Sequence, residues 1–480
     1  MDEDVRRFGQ QFRRFMERMT EAAASAEGSP VRALLDGHLG EDSTALQVVS
    51  EAFPPYDHVN VQVAMSAYLQ AEGRTHRLVG LTGQARHYGS LSDLLEAVTY
   101  ARIGFGPVDL VDLPSGPDET VACCQYGIFL ISEGDRRLAV LMRGPDERGP
   151  QERVTLEVVA SEADRAREFL AEIRRLMAER NVFRGQVISF GRHEMGYVGV
   201  GPIVFHRRTT LPREALVLPE GILDSVELQV LGVAARRDRL RASGQHVKRG
   251  LLLHGPPGCG KTLTVRYLLG RTPDHTVVLL TGGGLHMVRP AIGLARMLQP
   301  ALVVLEDVDL VAEERTMYPM GNPFLFDLLN ELDGIAEDVD VAFVLTTNRA
   351  DLLEPALAAR PGRVDLAVEI GLPDAEARRQ LIELYGRDLD LRLQDPDAVV
   401  GRMEGVTAAF IKELMRKAAV LASVAGQGSG PIQVTDAEVN QALDELLTEG
   451  SRLTRILLGG GEEPAAPGRP GTGWMVRDDR

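Results

Sequence analysis

"GLLLHGPPGCGKT", residues 250–262, decides the fold of this chain. A short apolar run, Leu251 to Leu253, predicts a buried strand, and Gly255-x-x-x-x-Gly260-Lys261-Thr262 follows it directly. A triphosphate needs many hydrogen-bond donors in a small space. Glycines let the backbone curl so that successive N–H groups face inward, and a helix beginning near Lys261 adds its positive end. Lys261 can reach the β- and γ-phosphates, and the Thr262 hydroxyl can ligate Mg²⁺. The stretch predicts a phosphate loop in which Gly255, Pro256, Pro257, Gly258, Cys259, Gly260, Lys261, Thr262 and Leu263 contact ATP. Cys259 sits there for its backbone more than for its thiol, although oxidation or alkylation of it would block the site.

A phosphate loop needs acids at a neighbouring strand end, and "VVLEDVDL", 303–310, supplies them. Glu306 is expected to hold Mg²⁺ together with Thr262, and Asp307 to orient and polarise the attacking water. Many such strands end Asp-Glu, so the first acid here is one methylene longer and the second one shorter than usual. Turnover should persist but be slow. A third acid, Asp309, lies close behind. Further on, "VAFVLTTNRADLLEPALAARPGRVDLAVEI", 341–370, is a strand that delivers Thr346, Thr347 and Asn348 to the level of the phosphates, because parallel sheets form sites at the carboxyl ends of their strands. Asn348, neutral and polar, suits holding the attacking water. Arg360 and Arg363 flank a Pro-Gly turn, a rigid mount for cations that stabilise a transferring phosphoryl group, often from a neighbouring subunit.

Taken together, "GPPGCGKT", "LEDVD", "LLNELDG" at 328–334, "TTNRADLLEPALAARPGRVD" and "EGVTAAFIKELMRKAA" at 404–419 resemble the AAA family of ATPases over residues 222–450. The resemblance implies an α/β fold: a phosphate-loop parallel sheet with crossover helices over 222–372, then a helical lid over 373–450. It also implies that Asn348 is the first sensor, that Arg360 and Arg363 are trans-acting arginine fingers, and that the assembly is a ring, most often hexameric. The Glu-Asp order is shared with the subfamily of the mitochondrial Rieske-protein translocase, which still hydrolyses ATP. In "TGGGLHMVRPAIGLAR", 281–296, the aromatic of the usual pore loop is missing, leaving Leu285, His286 and Met287 to project into a pore. The lid's usual Ser/Thr-Gly-Ala run reads Thr407-Ala408-Ala409, and no Asp-x-Gly-Gly element stands near "LPEGILDSVELQVLG". No His-Glu-x-x-His follows the lid as it does in membrane metalloprotease relatives. The final Arg-Asp-Asp-Arg differs from the ending with which proteasomal ATPases dock.

The remaining sequence sets the context. A chain of 480 residues with 44% apolar composition holds several domains, and a net charge of −16 disfavours coating of nucleic acid through bulk charge. Residues 1–24 have the apolar spacing of an amphipathic helix. Residues 1–190 predict a separate α/β or α+β domain, with strands at "VDLVDLP", "TVACCQYGIFLI" and "RRLAVLMRG" and a helix over 161–181. "HVNVQVAMSAYL", 58–69, fits either strand or helix. Glycine and proline mark 191–221 as a connector, where His193-Glu194 lacks the second histidine of a zinc-protease helix. Residues 451–480, with the sole tryptophan Trp474, predict a disordered tail. Three cysteines without CxxC spacing, no signal peptide and no apolar run of membrane-spanning length predict a soluble cytoplasmic protein that meets no membrane. The leading expectation is a Mg²⁺-dependent ATPase ring that remodels a protein recognised by residues 1–190. The alternative is a nucleotide-gated scaffold with little turnover. A nucleic-acid remodeller lacks a basic, aromatic-bearing element, and a small-molecule phosphotransferase lacks an acceptor-substrate lid.

Overall fold

The computed structural model describes residues 12–14, 30–82, 89–95, 104–146, 152–191, 203–309, 339–351, 364–425 and 430–449. Most of the helix expected over 1–24, the 328–334 motif, Arg360, Arg363, His193 and the tail with Trp474 lie outside these residues. The chain divides into two compact units. The first is Met1–Arg208 with Asp274–Leu280 and His286–Ala301, and the second is Thr209–Pro273 with Thr281–Leu285 and Leu302–Arg480. That division differs from a break across 191–221, because the first unit also takes in two stretches read from sequence as ATPase.

Unit one is built on an antiparallel sheet. Its elements are α1 (Pro30–Leu39), β1 (Val48–Phe53), α2 (His58–Leu69), β2 (Arg74–Thr82), α3 (Leu91–Leu95), β3 (Gly104–Gly106), β4 (Asp109–Gly116), β5 (Glu119–Glu133), β6 (Arg136–Arg143), β7 (Val154–Ala160) and α4 (Ala163–Glu179). The strand order is β1-β7-β6-β5-β2-β3, with β4 also paired to the long β5. Side chains alternate across a strand, and β6 shows the result. Leu138, Val140 and Met142 enter a core with α2 and α4, whereas Ala139 and Leu141 enter a core with α1 and α3. Both faces are covered, so the strand is a continuous apolar run. Segment 58–69 is a helix despite its Val-x-Val alternation, because it is buried nearly all round, from His58 through Val61 and Met65 to Leu69. Two further strands, β8 (Val187–Phe190) and β9 (Ile203–His206), belong to this unit. β9 runs antiparallel to β8, and β8 pairs in parallel with 277–279. The expected connector therefore contains a strand, "IVFH", hidden by the glycines and prolines around it.

Unit two carries four strands in the order β13-β10-β12-β11, where β10 is Arg249–His254, β11 is Ala301–Glu306, β12 is Val341–Thr347 and β13 is Leu366–Glu369. β10 is parallel to both neighbours, Leu252 facing Leu345 on one side and Ala367 on the other. Burial of β11 and β12 explains their unbroken apolar runs. α5 (Lys261–Arg271) follows β10. The lid comprises α6 (Ala375–Gly386), α7 (Pro396–Arg402), α8 (Ala408–Ala425) and α9 (Asp436–Asp444). Leu381, Val400, Phe410, Leu414 and Leu443 share its core. Among the described residues no helix is long and apolar enough to cross a membrane.

Candidate nucleotide site

The loop between β10 and α5 holds a shape that only glycine sustains. Gly255, Gly258 and Gly260 have φ of 137°, 77° and 112°, a region that L-residues with side chains rarely adopt. A Cβ on Gly255 would also sit 2.2 Å from the Ile370 carbonyl oxygen. Lys261 opens α5, and its Nζ donates to the carbonyls of Gly255 at 2.7 Å and Pro256 at 2.8 Å. The ammonium is thus held inside the loop. Burial, the largest influence on it, pushes its pKa down.

The acids meet this loop from β11. Glu306 ends the strand, takes a hydrogen bond from the Thr262 hydroxyl, and is pushed up in pKa chiefly by burial. Its Oε1 is buried with no hydrogen-bond partner among the described residues. Asp307 leaves the strand at φ 52°, a left-handed conformation that typically stores about 1–3 kcal/mol at functional positions. Its backbone N–H donates to Thr346 Oγ1 at 3.0 Å. Asn348, at the end of β12, donates from Nδ2 to Asp307 Oδ1 at 3.3 Å and to Asp309 Oδ2 at 3.4 Å. Asp309 is buried and also accepts from Thr347 Oγ1 at 2.9 Å and from the Asn348 backbone at 3.1 Å.

A cavity of about 420 Å³ opens beside these groups, within the usual range for a small-molecule site. Residues 257–263 form its floor, Asp307 and Asn348 one wall. Leu216 to Leu218, Leu381 and Tyr385 give it an apolar end, and Ala408, Ala409 and Lys412 complete the lid side. The Ala409 N–H donates to the Gly258 carbonyl at 3.0 Å, tying lid to loop.

Residues 251–372 match the family model described as ATPase family associated with various cellular activities (AAA). The chain contains an AAA ATPase domain. It is 32% identical over 251 residues to the ATP-dependent zinc metalloprotease FtsH 3 of Sphaerobacter thermophilus, covering 49% of this chain and 50% of that protein. It is 33% identical over 229 residues to FtsH 2 of Symbiobacterium thermophilum, covering 44% and 38%, and 26% identical over 293 residues to FtsH of Malacoplasma penetrans, covering 56% and 35%. The chain spans half or less of the length of these curated relatives, and the zinc peptidase in their names is theirs.

Within the AAA domain, Pro257, Gly258, Cys259, Gly260, Lys261, Thr262, Leu263, Asp307 and Asn348 gather at one cavity, with Gly255 and Pro256 bonded through Lys261. Arg360 and Arg363 lie outside the described residues. Cys259 is buried and its thiol is pushed up in pKa by burial, which disfavours the reactive thiolate. One expectation is corrected. Leu285 and Met287 are 0% and 6% exposed, so they pack as core residues instead of projecting into a pore. The short turn Gly282–Met287 folds their apolar side chains inward. Residues that sequence reasoning did not place at the site are Asp309, Lys412, Leu381, Tyr385 and the stretch Ala215–Leu218. That stretch lines the cavity without the Asp-x-Gly-Gly element. The third acid of "EDVD" was the available signal for Asp309.

Proposed function

We propose that this chain is a Mg²⁺-dependent ATPase that works as a hexameric ring and remodels a protein partner engaged through residues 1–190. The observation that carries the reading is the placement of Asn348 Nδ2 between Asp307 and Asp309 at the wall of a cavity floored by the phosphate loop. A phosphoryl transfer to water needs little covalent help, so positioned donors and charges account for it.

The donor set fits Mg²⁺: a hydroxyl oxygen and a carboxylate oxygen side by side, the latter buried and unpartnered among the described residues. Thr262 and Glu306 would hold the ion, which when bound neutralises charge on the phosphates. The chain's own groups do the rest. Lys261 exchanges the carbonyls of Gly255 and Pro256 for the β- and γ-phosphates. Asp307 accepts a hydrogen bond from the attacking water and draws its proton. Asn348 fixes that water from the side without adding charge, and Asp309 fixes Asn348. Arg360 and Arg363, supplied by a neighbouring subunit, stabilise the departing charge. The swapped acids suit these roles, since Glu306 reaches Thr262 while Asp307 stays short beside Asn348.

Titration of ATP into the wild type and Lys261→Ala, with phosphate release followed across protein concentration, tests the reading. Wild type binds, Lys261→Ala does not, and the rate per subunit rises with concentration because the site is shared. Absence of ATP binding by the wild type sinks the proposal, and a flat rate per subunit removes the ring.

A further inference from the structure

We propose that the open edge of β2, Arg74–Val79, with the groove it forms beside α1, takes up an extended acidic segment of a protein partner as an added strand. The inference deepens the reading of residues 1–190 as the partner-binding part of the chain and rests on it. Over this stretch β2 pairs with β5 in unbroken register, and β3 joins it only from Gly80 onward. Alternate residues of an antiparallel strand turn their backbone N–H and C=O away from the partner. Among the described residues no second strand meets those groups between Thr75 and Val79. Thr75, His76 and Arg77 are exposed. Six residues of strand make a template about 20 Å long.

A cavity of about 460 Å³ lies along this edge, between Ala33, Gly37 and His38 of α1 and Thr75 and Arg77 of β2, with Leu130 of β5 beneath. The groove is already formed, because His38 Nε2 holds α1 to the sheet, 3.2 Å from the Ile131 carbonyl oxygen and 3.1 Å from that of Leu138. Gly37 weakens its helix, yet a Cβ there would meet nothing within 4 Å. Packing within the chain therefore does not demand glycine, whereas a second backbone lying close to the helix would.

Charge selects the occupant. No carboxylate lines the groove, although the chain as a whole carries −16. Arg77 has no ion-pair partner among the described residues, while Arg74, which alternation turns to the other face, is paired with Glu133 at 3.2 Å. Arg137, opposite Ser132 on the same sheet face as Thr75, bonds the His38 carbonyl at 2.9 Å and adds a second cation. Charges on an edge ordinarily keep like chains apart; these also favour a strand of opposite sign. Main-chain hydrogen bonds then supply affinity, and acids at alternate positions of the added strand supply specificity.

The test is selection of random phage-displayed peptides of about ten residues against the full-length protein. The winners, made as synthetic peptides, are titrated by fluorescence anisotropy into wild type, Arg77→Glu and Gly37→Leu, with melting curves and ATP turnover taken for each protein. Expected are winners with Asp or Glu at alternate positions and at least about tenfold weaker binding to both variants. N-methylation of alternate peptide amides should cost as much, since it removes the main-chain donors. Gly37→Leu should melt at or above the wild-type temperature, because leucine favours a helix, and both variants should keep the wild-type ATP turnover. Should Gly37→Leu melt lower, Arg77→Glu and the N-methylated peptide decide. Winners that lack acids, tolerate N-methylation or bind Arg77→Glu like wild type overturn the proposal, and so does a selection that yields none. If it falls while wild type hydrolyses ATP, the ATPase reading stands. If peptides take this edge and wild type hydrolyses no ATP, the ATPase reading falls and the edge remains.

Discussion

Replacing Asp309 separates positioning from binding, because it sits behind Asn348 and does not line the cavity. Its carboxylate is 4% exposed and accepts from the Thr347 hydroxyl, the Asn348 N–H and Asn348 Nδ2. Asp309→Ala strands the first two donors in a buried place. Each stranded donor costs about 1–3 kcal/mol, so a loss of roughly 2–6 kcal/mol and a clearly lower melting temperature follow. Asp309→Asn is the sharper variant. Its amide oxygen still serves Thr347 and the Asn348 backbone, but an NH₂ replaces the oxygen that faces Asn348 Nδ2 at 3.4 Å. Donor then meets donor, and Asn348 swings away from Asp307. The expected result is a loss of about 1 kcal/mol in stability with kcat lowered about ten- to hundredfold, equivalent to about 1.4–2.7 kcal/mol in the barrier. KM for ATP stays near wild type. Phosphate release under saturating ATP, with a denaturant melt on the same samples, reads both. A folded Asp309→Asn with wild-type kcat, or one impaired only through KM, refutes the reasoning.

Asp57, buried at 4% exposure with Asn60 Nδ2 donating to it at 3.0 Å, has its pKa pushed from 3.8 to about 6 by burial. The folded state therefore holds the proton more tightly than the unfolded one, and stability falls as pH rises from about 4 to about 6. At 1.36 kcal/mol per pH unit the whole effect is about 3 kcal/mol. Asp57→Asn should match wild type near pH 4 and be the more stable near pH 7; melts with parallel pH dependence would show that the burial argument is wrong. Gly258→Ala places a Cβ 3.0 Å from Ala409 Cβ and 3.1 Å from Thr407 Oγ1 at φ 77°. That variant should bind ATP at least about tenfold more weakly, through loop strain of about 1–2 kcal/mol, and wild-type affinity by calorimetry would contradict the loop geometry.

The phosphate loop was legible because positive φ and a close approach of backbone leave glycine as the residue that fits, and such glycines survive as a spaced pattern. Glu306, Asp307 and Asn348 were legible as polar residues ending apolar strands. Asp309 was visible as an acid, but its work depends on Thr347 and Asn348, 38 and 39 residues away, and only folding brings those together. Lys412 was hidden for the same reason: a lysine on an amphipathic helix is ordinarily solvated, and its place at the cavity follows from the Ala409–Gly258 contact. Segment 58–69 misled in another way, since a helix buried nearly all round shows no apolar stripe and its valines alternate as in a strand. β9 was masked by flanking glycine and proline, which dominate a composition-based boundary. Leu285 and Met287 were placed in a pore by the position of their segment, whereas their apolar side chains found a core.

We propose that Asp307 and Asn348 activate water against a nucleotide held by the phosphate loop. Steady-state ATP turnover with Mg²⁺, comparing wild type with Asp307→Asn while ATP binding is measured on both, tests it most directly. Both proteins should bind ATP, wild type should turn over, and the variant should be slower by at least about a hundredfold. If both bind ATP and neither turns over, or if the variant keeps the wild-type rate, the water-activating role of Asp307 is wrong; in the first case a nucleotide-gated scaffold takes its place.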